Sequence, residues 1–131
     1  MTIEKVLEIV EIEKIEFIRI EFVDYSGITR GRTIRPAQLK NAMETGINFS
    51  KAIMNFDCFD QYISNPTFGP NDGDFFAVPD PSTFAVLPYR KNTARMFSNL
   101  VDVNGVPWEG CPRNAFLLVE RKVNHMVRYM V

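Results

Sequence analysis

The chain has 131 residues, 24% of them charged and 46% hydrophobic, with eleven phenylalanines and a formal net charge of -1. That length suits one domain with a real core, and the balance is that of a folded chain rather than a disordered one. The near-zero charge leaves no basic excess to exchange for counterions on nucleic acid, so nucleic acid is not an expected partner. No stretch approaches the roughly 18 apolar residues of a membrane span, and the acidic start lacks a basic flank before an apolar run. A cytoplasmic location with no membrane partner is therefore expected.

Residues Thr2 to Val10 place Ile3, Val6, Leu7 and Val10 at helical spacing, with Glu4, Lys5 and Glu8 on the other face. From Ile15 the period changes to two. Ile18, Ile20 and Phe22 form one face of a strand, and Arg19 and Glu21 form the other, read as an ordinary solvated face. Asp24 to Gly27 make a tight turn, and Ile28 to Arg35 return as a second strand, completing a hairpin. Arg30, Arg32 and Arg35 along this strand and its exit are read as a solvated stripe without an assigned site.

Pro36 suits the first turn of a helix whose apolar stripe is Leu39, Ala42 and Met43, and Gly46 stops it. Ile47 to Gly73 is irregular and rich in aromatic residues, a length of loop that within compact domains tends to be functional. Three short β-like runs follow, Asp74 to Val78, Thr83 to Leu87 and Ala94 to Val103, separated by prolines. Asn104 and Gly105 mark a turn. Pro112 opens a C-terminal helix with Phe116, Val119, Val123 and Val127 on one side. The expected fold is α+β: a β-grasp-like mixed sheet of four to five strands, one helix packed across it and a C-terminal helix.

The usual catalytic constellations are not assembled in the sequence. His125, the only histidine, has no ligand-spaced partner, and Ser26 and Ser50 have no neighbouring base. Cys58 and Cys111 lack a C-x-x-C spacing and read as reduced thiols. Asp57 and Asp60, then Asp72 and Asp74 around Gly73, gather carboxylates, but no glutamate closes a twelve-residue calcium loop, so they read as solvated acids. No phosphate-cradling glycine loop is present.

Three words in the sequence carry a resemblance. Ile15 to Arg35, "IEFIRIEFVDYSGITRGRTIR", resembles the opening hairpin of glutamine synthetases, with Asp24, Gly27 and Pro36 at matching positions. Pro79 to Arg90, "PDPSTFAVLPYR", is similar to the family's PDPSTF stretch. Val106 to Arg113, "VPWEGCPR", resembles its approach to the linking helix, with Cys111 where an aspartate is usual.

The resemblance implies that residues 1–131 form a single N-terminal β-grasp domain of a glutamine-synthetase-like ligase. Such ligases phosphorylate the glutamate γ-carboxylate with ATP and displace phosphate with an amine. It further implies that ATP and Mg²⁺ are bound in a second, larger catalytic domain, absent here, so that this chain holds no cofactor and is inactive alone. The implied partners are further copies of the chain in a homo-oligomer or a catalytic ligase domain.

In the family, the loop after the first hairpin's helix places an aspartate and a serine near the ammonium site. Here that loop reads "INFSKAIMNF", with Ser50 at the aspartate position and Ile53 at the serine position. A carboxylate attracts an ammonium ion and accepts its proton, whereas a serine offers only hydrogen bonds. Ser50 is accordingly either a substrate-binding residue for a larger amine, as in relatives acting on polyamines, or a loop serine that caps a turn. A different reading of the whole chain is a stand-alone protein-binding or regulatory module without catalytic activity.

Overall fold

The computed structural model describes residues 1–128, with side chains through residue 125. The expected apolar position Val127 and the last three residues lie outside the described side chains. Thr2 caps helix α1 (Ile3–Ile12), its hydroxyl accepting from the Lys5 amide at 3.3 Å, and Val6 and Val10 are buried beneath it. Strand β1 (Phe17–Val23) turns at Gly27, whose φ of 78° is left-handed, into β2 (Thr29–Ile34). A short 3₁₀ turn started by Pro36 leads into α2 (Leu39–Thr45), which stops at Gly46 with φ 76°.

Four strands and the final helix follow: β3 (Ile47–Ser50), β4 (Asp74–Pro79), β5 (Ala85–Val86), β6 (Thr93–Val101) and α3 (Pro112–Arg128). The sheet order is β2-β1-β6-β4-β3, with β5 added beside β6. All pairings are antiparallel except β1 with β6, which is parallel. The architecture is the expected mixed α+β sheet, one strand richer than the periodicity indicated. Strand β3 lies at the start of the stretch read as irregular: four residues are too few to show alternation, and it is recognisable only through its pairing with β4.

Two adjoining clusters make the core. Ile18, Ile20, Ala94 and Met96 on the inner sheet face pack against Val6 and Val10 of α1 and Leu39, Ala42 and Met43 of α2. Beyond them Phe22, Phe49, Phe75 and Trp108 form an aromatic cluster, with Phe75 stacked on Trp108 at 5.0 Å and edge-on to Phe22 at 5.2 Å. Each fully buried Ile or Phe in these layers is worth roughly 1.5–3 kcal/mol over an exposed one.

The outer face of β1 departs from the solvated face expected for it. Glu21 is only 4% exposed and is ion-paired to Arg19 at 2.8 Å and to Arg95 at 3.7 Å. Its register partner is Gly31, where a Cβ would stand 2.1 Å from the Ile20 carbonyl oxygen. The absence of a side chain at Gly31 therefore permits this strand approach.

The arginine stripe divides as well. Arg30 and Arg32 face the same side as Phe22 and Ile20, their register partners. Arg30 Nε donates to the buried Asp24 carboxylate at 2.8 Å and its guanidinium also pairs with Asp60. Arg32 lies over the Phe49 ring and Arg35 over Phe17. Only Arg32 and Arg35 are solvent-exposed, so the stripe is not uniformly a solvated face.

Candidate functional site

Alternation along β3 sends Phe49 into the aromatic core and leaves Asn48 and Ser50 on the outside. Ser50 is exposed at the strand's end, opposite Asp74 in the β3–β4 register. Register partners in an antiparallel pair share a face, so Asn48, Ser50 and the half-buried Asp74 form one polar patch. Asn48 Nδ2 donates to Asp74 Oδ2 at 3.1 Å, fixing that carboxylate beside Ser50.

The Ser50 hydroxyl accepts from the Ala52 amide at 3.4 Å and caps the 3₁₀ segment Lys51–Asn55. The Lys51 amide donates to the Gly73 carbonyl at 3.0 Å, closing the loop against the start of β4. Ile53 is half-buried and packs on the aromatic cluster, so the two loop positions diverge: Ser50 outward, Ile53 toward the core. Asp74 opens β4, as the β-like run Asp74 to Val78 indicates, and faces Ser50 rather than open solvent alone. It lies 24 residues along from Ser50, and no local pattern announces their pairing.

The three family-like words hold one another. Asp24 Oδ1 accepts from the Ser26 and Ile28 amides at 2.9 and 2.8 Å, which shapes the hairpin turn. Tyr25 donates its hydroxyl to the Gly110 carbonyl at 2.8 Å, and Ser26 donates to the Phe56 carbonyl at 2.9 Å. Asp80 Oδ1 accepts from the Ser82 amide and hydroxyl, while Asp80 Oδ2 receives Arg113 at 2.6 Å. Arg113 Nε also donates to Asn99 Oδ1 at 2.9 Å.

Burial pushes the Asp80 carboxyl up, but the Ser82 and Arg113 hydrogen bonds outweigh it and hold its pKa below the ordinary aspartate value. Cys111 is buried at the start of α3, and its Sγ accepts from the Asn114 amide at 3.4 Å. The thiol thus occupies the capping place an aspartate would take, as a weaker acceptor.

The remaining sequence candidates do not converge. Asp57 Oδ1 accepts from the Phe59 and Gln61 amides, Asp60 pairs with Arg30, and Asp72 accepts from the Gly69 amide. These carboxylates shape loops. Among the described residues no group of three His, Cys, Asp or Glu could hold a metal ion. His125 is exposed on α3, Cys58 is exposed, and no helix among the described residues is long and apolar enough to cross a membrane.

A hairpin, a helix across a curled mixed sheet and a parallel central strand pair define a β-grasp-like α+β domain. The description "Glutamine synthetase N-terminal domain" matches residues 1–108, and the chain belongs to that family. It is 32% identical over 122 residues to the γ-glutamylanilide synthase of an Acinetobacter species, covering 84% of this chain and 24% of the relative. It is 34% identical over 116 residues to a glutamine synthetase of Mycobacterium bovis, covering 85% and 24%. A crystal structure described as a novel glutamine synthase homolog superposes with a TM-score of 0.67 at 28% identity, covering 76% of this chain and 24% of that one. The chain thus spans about a quarter of the length of the relatives it matches.

Proposed function

We propose that this chain is the N-terminal domain of a glutamine-synthetase-like ATP-dependent glutamate–amine ligase, contributing one wall of the amine pocket at a subunit interface and inactive by itself. The observation that carries the reading is the outward patch of Ser50, Asp74 and Asn48 at the end of β3, in the loop where the family's ammonium-site residues are expected. Ser50 contributes a hydroxyl and Asp74 a carboxylate, held by Asn48 and paired with no cation among the described residues. The pair supplies both requirements of an amine that arrives protonated: a negative charge to attract it and an acceptor for its proton. In this reading a hydroxyl at position 50, with the carboxylate at position 74, suits a nitrogen that carries a substituent. A relative named for an anilide product, in which the nitrogen carries a ring, supports that direction.

ATP and Mg²⁺ belong to the rest of the ligase in this reading, supplying phosphoryl transfer to the glutamate γ-carboxylate. The partner is then a catalytic ligase domain, arranged with further copies of the chain in an oligomer.

The test is made in ligase reconstituted from this chain and a catalytic domain. Ser50→Asp should raise kcat/KM for ammonium relative to larger amines by about tenfold, and Asp74→Asn should raise KM for every amine. An amine profile indifferent to both substitutions would remove the patch from the pocket. The stand-alone binding reading draws on one observation, the exposed Phe116, Val119 and Val123 on α3. It predicts stable partner binding with no ligase activity in any mixture.

A further inference from the structure

On the outer sheet face, at the β1–β2 end and away from Ser50 on edge strand β3, lies a pocket of about 150 Å³ lined by Phe17, Arg19, Thr33, Arg90, Lys91 and Thr93. Three cations and two hydroxyl-bearing side chains line it, and no carboxylate does. With the neighbours Arg35 and Arg95 there are five cations, whose ion-pair partners among the described residues are Glu16 and Glu21, in a chain whose net charge is -1. Among the described residues, neither Arg90 nor Lys91 takes part in an ion pair. A concentration of positive charge in a concave site raises the local concentration of anions.

The site is also built rather than incidental. Buried Glu21 holds the Arg19 guanidinium at 2.8 Å, giving that arginine a fixed place. The turn bearing Arg90 and Lys91 is fastened to the start of β1 through Asn92. Its carbonyl accepts from the Glu16 and Phe17 amides at 2.8 and 3.2 Å, and its side chain donates to Glu16 at 2.7 Å. The Thr93 hydroxyl donates to the Lys91 carbonyl at 2.9 Å, and the Arg35 guanidinium lies 4.3 Å over the Phe17 ring. Such fixing lowers the ordering cost of binding.

We propose that this pocket binds a small organic dianion carrying two carboxylates. Its volume is well below the roughly 300–1,000 Å³ of sites for drug-sized ligands, which suits a ligand of a few carbon atoms. Cations approach from two elements, Arg19 of β1 with Thr33 beside it, and Arg90 with Lys91 from the β5–β6 turn. Guanidinium forks match carboxylates in two-point hydrogen bonds, so each side takes one acid group. Phe17 and its register partner Thr93 lie at the pocket as well, and the ring offers a surface to a short carbon chain that inorganic phosphate would not use. The inference stands independently of the ligase reading.

The test is isothermal titration of the 131-residue chain at low ionic strength with glutarate, butyrate and inorganic phosphate. Saturable glutarate binding is expected, at least about tenfold tighter than either of the others. Arg90→Gln and Lys91→Gln, both in an exposed turn, should each weaken it about tenfold, while Lys40→Gln on α2 leaves it unchanged. Absence of saturable glutarate binding, phosphate binding as tight as glutarate, or unchanged glutarate affinity in both turn variants would overturn the proposal.

Discussion

Removing the Asp80 carboxylate should unfasten two parts of the domain together. Asp80 Oδ2 holds Arg113 at 2.6 Å, with side-chain exposures of 21% and 33%, and Asp80 Oδ1 holds the Ser82 amide and hydroxyl. Hydrogen bonds to a charged group are worth roughly 1.5–3 kcal/mol when shielded, but solvent at Arg113 discounts the ion pair to about 1 kcal/mol. The two Ser82 bonds add about 1 kcal/mol more. Asp80→Ala should therefore cost about 2 kcal/mol in urea unfolding, and Arg113→Ala about 1–2 kcal/mol because its Asn99 bond is lost too.

A double-mutant cycle should return a coupling of about 1 kcal/mol, and additivity within about 0.4 kcal/mol would refute the clasp. The pH dependence has a fixed sign. Because the folded carboxyl titrates below its ordinary value, its stabilisation is present above about pH 4 and is lost as pH falls through the lowered folded pKa. The wild type should thus lose more stability than Asp80→Asn between about pH 5 and pH 2.

Gly31→Ala places a methyl against the Ile20 carbonyl oxygen and should destabilise the domain by about 1–3 kcal/mol, with faster amide exchange along β2. In native buffer a thiol reagent should label Cys58 and spare Cys111, which is 2% exposed, until denaturant is added; equal labelling of both by mass spectrometry would contradict the packing at the start of α3. Phe116, Val119 and Val123 are 67%, 60% and 51% exposed, so light scattering of the isolated chain should show concentration-dependent self-association. Replacing all three by Gln should abolish it. A strict monomer at high concentration would rule out an adhesive α3.

The hairpin, the Pro36-to-Gly46 helix and the Pro112 start of α3 were legible because each has local punctuation: a positive-φ glycine or a proline at the first turn. The inward set Ile18, Ile20 and Phe22 was legible from period two alone. Glu21 was misread because its burial depends on Arg95, 74 residues along the chain, and on the missing side chain at Gly31. Short β3 escaped for the same reason, since only its partner β4 reveals it. At the candidate site, position 50 was accessible through the resemblance, while Asp74 required the strand register. Cys111 was visible as a departure from the family's usual aspartate, but its role, accepting the Asn114 amide at the start of α3, needed the structure.

The most direct measurement is phosphate release from ATP with glutamate and a panel of amines, using this chain alone, a catalytic ligase domain alone, and the two mixed. Amine-dependent phosphate release is expected only in the mixture, with an amine larger than ammonium preferred. Release by this chain alone, or full activity of the catalytic domain without it, would contradict a shared amine pocket.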